Sequence, residues 1–230
     1  NRAKILVIEV GGLLRNDTWR MGIGGINATA DYANDDVDDS RIKKLGLHLK
    51  PWRTSHIDDP IYICLQNTNS EAWTAGSVDN WLQDMIEHIR YQTDRQIFIR
   101  QHPRHQTKIN HIINMHKNIA ESRPQFTQGD KVDFVDKLKT AYCVVNYNSN
   151  PAIEAVLNGV PVVVHESSLC REVGNSLLCN INNLKMPERT RWLNKLSYCE
   201  WFVDEIAQGT PWQRLKYKLQ HTLSNQWSGI

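Results

Sequence analysis

The sequence lacks the short motifs that announce the commoner nucleotide and acyl chemistries. No GxGxxG fingerprint follows a strand, which argues against a dinucleotide oxidoreductase. No GxxxxGK[ST] loop is present to cradle phosphates, which argues against a P-loop NTPase. There is no GxSxG elbow, and His111, His116 and His165 have no nucleophile beside them, so these three read as surface or packing histidines. The five cysteines (Cys64, Cys143, Cys170, Cys179, Cys199) are odd in number and never spaced as CxxC. That weighs against a zinc site or a disulfide framework and points to a reducing, cytoplasmic setting. No apolar run approaches the roughly 18 residues that a membrane span needs, and the opening residues carry no signal-peptide pattern. The acidic run Asp35-Asp36-Val37-Asp38-Asp39 lacks the alternating ligands and closing Glu of a calcium loop, so it reads as a solvated surface loop and no metal is expected. A net charge of +2 shows no global basic bias.

What is present is a chain of 230 residues, 40% of them hydrophobic, enough for a substantial core. The most ordered stretch runs from Tyr142 to His165. Tyr142 to Val145 is a short apolar strand, Asn146 to Asn150 a polar turn, and Pro151 suits the first helical position because its missing N–H would have had no partner there. Ile153, Val156 and Leu157 give one apolar face, Gly159 suits the left-handed residue that ends a helix, and Val162 to Val164 reads as a strand buried on both faces. This is a βαβ unit. Similar alternation begins at Pro60, with strands at Ile61 to Leu65 and Gln96 to Ile99, a Ser77-capped helix between them, and a further helix from about Thr107 to Ile119. A short strand near Phe126 and a helix from Asp130 to Leu138 follow, then one long helix over Glu188 to Ala207 and a last amphipathic helix over Trp212 to Leu223.

The fold class expected is α/β, an open parallel Rossmann-like sheet behind an irregular N-terminal segment. Gly11 to Asp39 shows little periodicity, and Pro51 in Leu49 to Arg53 marks a hinge. The expected division is 1–55 as a linker or the remnant of an N-terminal domain, 56–208 as the Rossmann-like domain, and 209–230 as a C-terminal helix. The sequence enters a strand at once after Asn1-Arg2, from which an amino-terminal portion is expected to precede it.

Three polar turns fall at strand carboxyl ends, which converge on one crevice in an open parallel sheet. Gln66 and Asn67 open the first. The second, Arg100-Gln101-His102-Pro103-Arg104, sets two guanidiniums and an imidazole at a strand end, an anion site in which Arg supplies forked donors and His a donor or a proton. The third, Asn148-Ser149-Asn150, offers a hydroxyl, two amides and the start of a helix, with Glu154 one turn along to accept from a ribose diol or simply to favour the helix N-terminus. Glu9, before Gly11-Gly12 at the end of a nearly continuous apolar run, is either a paired, edge-facing carboxylate or a general base facing a cleft.

A strand ending in Arg100-Gln101-His102-Pro103, followed some 45 positions later by the Asn148-Ser149-Asn150-Pro151 turn and a helix closed by Gly159-Val160-Pro161, resembles the nucleotide-binding half of GT-B glycosyltransferases. The likeness is greatest to the capsule-polysaccharide synthesis group with its His-Pro and Ser motifs. The Lys50-Pro51-Trp52-Arg53 segment and the Trp201 to Trp212 region also resemble phage-encoded relatives. The resemblance implies an inverting, metal-independent enzyme that needs no cofactor beyond its nucleotide-sugar donor. Catalysis would fall to Glu9 and His102. Donor binding would fall to Gln66, Asn67, Arg100, His102, Pro103, Arg104, Asn148, Ser149, Asn150 and Glu154. The acceptor would be a saccharide hydroxyl. A hydroxylated DNA base is the alternative, since Arg214, Lys216 and Lys218 make the last helix basic and Trp52, Trp73, Trp212 and Trp227 suit stacking on bases. A non-catalytic nucleotide- or glycan-binding module is the third reading.

Overall fold

The computed structural model describes residues 5–125 and 133–224, with the backbone alone over 219–224. In chain order the elements are β1 (Leu6–Val10), β2 (Thr18–Ile23), α1 (Ser40–Leu45), β3 (Ile61–Cys64), α2 (Val78–Arg90), β4 (Ile97–Arg100), α3 (Asn110–Ile113) and β5 (Ile119–Ser122). There follow α4 (Phe134–Leu138), β6 (Cys143–Asn146), α5 (Pro151–Leu157), β7 (Val162–Val164), β8 (Asn175–Ser176), α6 (Thr190–Ser197), β9 (Glu200–Phe202), α7 (Val203–Ala207) and α8 (Thr210–Ser224). The strand anticipated at Phe126 and the first residues of the helix anticipated from Asp130 lie outside the described residues.

The chain forms two compact units, 49–188 and a discontinuous one made of 1–48 with 189–230. Unit 49–188 carries six parallel strands in the order β5-β4-β3-β6-β7-β8, which by appearance within the unit is 3-2-1-4-5-6, the doubly wound Rossmann order. The fold class expected from the sequence is therefore the one found. Continuous apolar runs make these strands because both faces are covered. On one face Ile63, Ile97, Ile99, Cys143, Val145 and Val163 meet the apolar stripe of α2, where Trp81, Leu82, Met85, Ile86 and Ile89 are buried. Each such side chain contributes about 1.5–3 kcal/mol on leaving water. The helix starts where Ser77 Oγ accepts the Asn80 N–H at 3.4 Å. α5 covers β6 and β7 with Ala152, Ile153, Ala155 and Val156 buried.

Gly159 ends α5 with φ +78°, and a Cβ there would lie 2.0 Å from the Pro51 carbonyl oxygen. The expected hinge is thus bonded into this unit: Lys50 N–H donates to Leu157 O at 3.0 Å and Arg53 N–H to Gly159 O at 2.7 Å. The helix anticipated over 107–119 is only the turn Asn110–Ile113, because the chain enters β5 at Ile119.

The other unit departs further from expectation. The supposedly irregular stretch after Gly11 contains β2, which pairs antiparallel with β1 on one side and β9 on the other. β9 interrupts what the periodicity presents as one helix over 188–207. This pairing, together with α1 packing on α6, joins residues before 48 to residues after 189, so the unit boundary falls at Arg189 and not at 208. The acidic loop is not merely solvated: Lys218 Nζ reaches Asp35 Oδ2 at 3.0 Å, and Arg214 donates to Ala33 O at 3.0 Å while lying over the Tyr198 ring. Among the described residues no helix is long and apolar enough to cross a membrane.

Candidate functional site

In the 3-2-1-4-5-6 order the chain leaves β3 toward one edge of the sheet and returns at β6 toward the other. The carboxyl ends of these two strands therefore flank a crevice. The turns that follow them are joined by direct bonds. Gln66, buried, accepts the Asn148 N–H on Oε1 at 3.3 Å, and Asn148 Nδ2 donates to Ala72 O at 2.7 Å. On the other side Thr68 Oγ1 meets His105 Nε2 at 3.2 Å, tying in the turn after β4. The three polar turns expected to converge do converge. Within the first, Asn67 is half-buried, and its Oδ1 takes the Asn69 N–H at 3.0 Å in an Asx turn.

The turn after β4 is tight. His102 and His105 are bridged across it, with Pro103 half-buried and Arg104 exposed at its tip. Buried Gln101 clamps its base, donating to Thr107 O at 2.8 Å and accepting the Thr107 N–H at 3.1 Å. The Arg104 N–H points at His102 Nδ1, 3.2 Å away. A backbone N–H only donates, so Nδ1 is the acceptor and the neutral ring carries its proton on Nε2. Arg100 is elsewhere. Its guanidinium is buried, bonded to Asp133 Oδ1 at 2.6 Å and set over the Phe134 ring. Desolvation resists ionisation of Asp133, but the Arg100 and Gln125 hydrogen bonds still hold its carboxyl below the ordinary range. Arg100 is thereby committed to an internal ion pair, and the exposed guanidinium of the turn is that of Arg104.

After β6, the buried Asn146 shapes the turn. Its Oδ1 accepts the Ser149 N–H at 2.8 Å, and its Nδ2 donates to Cys64 O at 3.1 Å and to Ser149 Oγ at 2.8 Å. Since Ser149 Oγ accepts that bond, its own proton is the group it offers as a donor. Asn150 and Glu154 are half-buried at the start of α5. A fourth strand end joins these: His165, directly after β7, stacks on Tyr147 with centroids 4.4 Å apart, and Trp73 packs on Tyr147 at 4.9 Å. The sequence reading assigned neither Asn146 nor His165 to the site. The available signal for His165 was its place immediately after a buried strand, the same place that singled out His102.

Glu9 lies in the other unit, on an exposed edge strand of an antiparallel sheet and not on a buried one. It pairs directly with Arg20, which pairs with Glu200, so acid, base and acid form one row across three strands. Desolvation raises the Glu9 carboxyl above its ordinary value, against the pull of Arg20 and Arg15. The two glycines after it surround an internal group: Glu200 is fully buried and accepts from Gly12 N–H at 2.7 Å, Leu13 N–H at 3.0 Å, Thr18 Oγ1 at 2.9 Å and Arg20 at 2.8 Å.

No family model matches the chain, and no curated protein is significantly similar to it in sequence. Solved structures are similar in fold. The β-Kdo 2,7 transferase of Thermosulfurimonas dismutans KpsC superposes with a TM-score of 0.58 at 14% identity, over 93% of this chain and 78% of that one. The β-Kdo 2,4 transferase of the same KpsC gives 0.53 at 11% identity, over 88% and 74%. The fold is thus one shared with these two Kdo transferases, and the coverage takes in both units.

Proposed function

We propose that the chain is a glycosyltransferase that moves a sugar from a nucleotide-activated donor to a hydroxyl acceptor, with inversion and without a metal, in the cytoplasm. The observation that carries this reading is the convergence of the β3, β4 and β6 turns at the switch point of a Rossmann sheet, in a fold shared with transferases. In the proposed reaction, His102 through Nε2–H and Arg104 through its guanidinium stabilise the charge that develops on the departing phosphate. Ser149 donates its hydroxyl proton to phosphate or sugar oxygens, Gln66 and Asn148 hold the turns in register, and Glu154 accepts from the ribose. Glu9 is the proposed general base for the acceptor hydroxyl. The neighbours are Kdo transferases, so an acidic nucleotide-activated sugar of that kind heads the donors to try.

A DNA acceptor draws less support, because Arg214 and Lys218 are engaged with the acidic loop of their own unit. The test is turnover of a panel of nucleotide sugars with saccharide acceptors, with the anomeric configuration of the product read by NMR. Transfer is expected to fall about 10²-fold in His102→Ala. Binding without turnover on any acceptor would favour the non-catalytic module, and transfer at wild-type rate by His102→Ala would remove that residue from the mechanism.

A further inference from the structure

The polar network around β7 leads to a residue that neither the sequence motifs nor the proposed mechanism uses. Asn148 Nδ2 donates to Ser167 Oγ at 2.9 Å, and Ser167 Oγ lies 2.8 Å from His165 Nδ1. An amide NH2 only donates, so Ser167 Oγ accepts from Asn148; its own proton goes to Nδ1 because that nitrogen already accepts the Ser167 backbone N–H, 3.3 Å away. Two donors at one ring nitrogen fix His165 as the neutral tautomer with its proton on Nε2. Stacking on Tyr147 fixes the plane of the ring. Tyr147 is in turn held by its hydroxyl on Thr74 Oγ1 at 2.8 Å and by Trp73 and Trp81. Among the described residues Nε2 of His165 has no hydrogen-bond partner, and the side chain is half-buried at a strand carboxyl end, one strand from Ser149. A ring locked in both plane and tautomer, with one donor left over at a strand carboxyl end, is preorganised for a ligand acceptor.

We propose that His165 is a fourth strand-end contact of the crevice, donating from Nε2 to an oxygen of the bound nucleotide sugar, with Ser167 as its positioning residue. This rests on the reading of the crevice as a nucleotide-sugar site. Asn148 links the two, since its backbone N–H holds Gln66 of the first turn while its side chain sets the Ser167 hydroxyl.

The experiment is calorimetric binding of a panel of nucleotide sugars, CMP-, UDP- and GDP-linked, to the full chain and to His165→Phe, His165→Gln and Ser167→Ala. Phe keeps the stack on Tyr147 and lacks the donor, so Kd is expected to rise about tenfold while the ligand-free melting temperature stays put. Gln, which carries an amide nitrogen in place of Nε2–H, is expected to recover part of the loss. Ring 15N shifts should show the Nε2–H tautomer in the wild type, a loss of that preference in Ser167→Ala, and a change at Nε2 on adding donor. These shifts also serve should His165→Phe fail to fold. Wild-type binding with an unchanged Kd in His165→Phe, or no change at Nε2, overturns the role of His165 and leaves the crevice reading intact. Failure of the wild type to bind any member of the panel overturns the crevice reading and the contact with it.

Discussion

The carboxylate of Glu200 fills the space that a side chain at Gly11 would need. A Cβ on Gly11 would lie 2.4 Å from Glu200 Oε2 and 2.4 Å from Thr18 Oγ1. Gly11 is therefore accounted for by a buried internal anion that gathers the Gly12 and Leu13 N–H groups, Thr18 and Arg20 around itself. Removing one member of a buried pair leaves the other charged and unpaired, which costs about 3–5 kcal/mol. Glu200→Ala is expected to lose stability on that scale in urea unfolding. Gly11→Ala should also be strongly destabilised, by displacing the same carboxylate. A loss below about 1 kcal/mol in Glu200→Ala would contradict the account of this sheet.

Gly159 is a second position where the backbone admits no side chain. Its φ of +78° and the Pro51 carbonyl 2.0 Å from a would-be Cβ act together. Gly159→Ala should cost more than about 1 kcal/mol and should expose the amides of Lys50 and Arg53, whose bonds to Leu157 and Gly159 it breaks. Hydrogen exchange at those two amides reads the effect directly. Protection equal to wild type would contradict it.

Glu205 supplies a pH dependence with a definite sign. Burial opposes its ionisation, but hydrogen bonds from Arg41, Lys44 and the Phe202 N–H hold the carboxyl down at about 2, against an ordinary 4.5. A carboxyl depressed in the folded state lends stability that is fully present above its unfolded pKa and lost as pH falls from about 4.5 toward 2. The urea midpoint should drop over that window, and the drop should be smaller in Glu205→Gln. Equal slopes in the two proteins would remove Glu205 as the cause.

The cysteines should be inert in the folded protein. Desolvation pushes the Cys64 and Cys199 thiols up to about 12 and raises Cys143 and Cys179 as well, while Cys170 is fully buried. Cys179 is the half-buried one. At pH 8 no more than one thiol is expected to react promptly with an aromatic disulfide, and all five after denaturation. Prompt reaction of two or more in the native state would contradict the burial described.

Much of unit 49–188 was legible in the sequence. Parallel strands covered on both faces read as unbroken apolar runs, and α2 and α5 carry their own caps and stops in Ser77, Pro151 and Gly159. The other unit was not legible, for a physical reason. Its sheet closes through β2 and β9, which lie some 180 residues apart, and Cys199, Val203 and Ile206 fall on the face that a helix continuing from Trp192 and Leu196 would make apolar. No Gly or Pro marks the break at Tyr198-Cys199. In the site, strand-end position located the turns that carry His102 and Ser149 but gave no warning that Arg100 faces Asp133, a partner 33 residues away. The same position is held by His165, directly after β7.

The central claim is that the crevice at the β3, β4 and β6 carboxyl ends receives the nucleotide donor. Its most direct measurement is a titration of nucleotide sugars into isotopically labelled protein, following the amide and ring signals. The expected result is saturable shifts in the turns at Gln66–Ser70, His102–His105 and Asn148–Asn150, weakened in Ser149→Ala. Saturable binding that leaves all three turns unmoved would contradict the account.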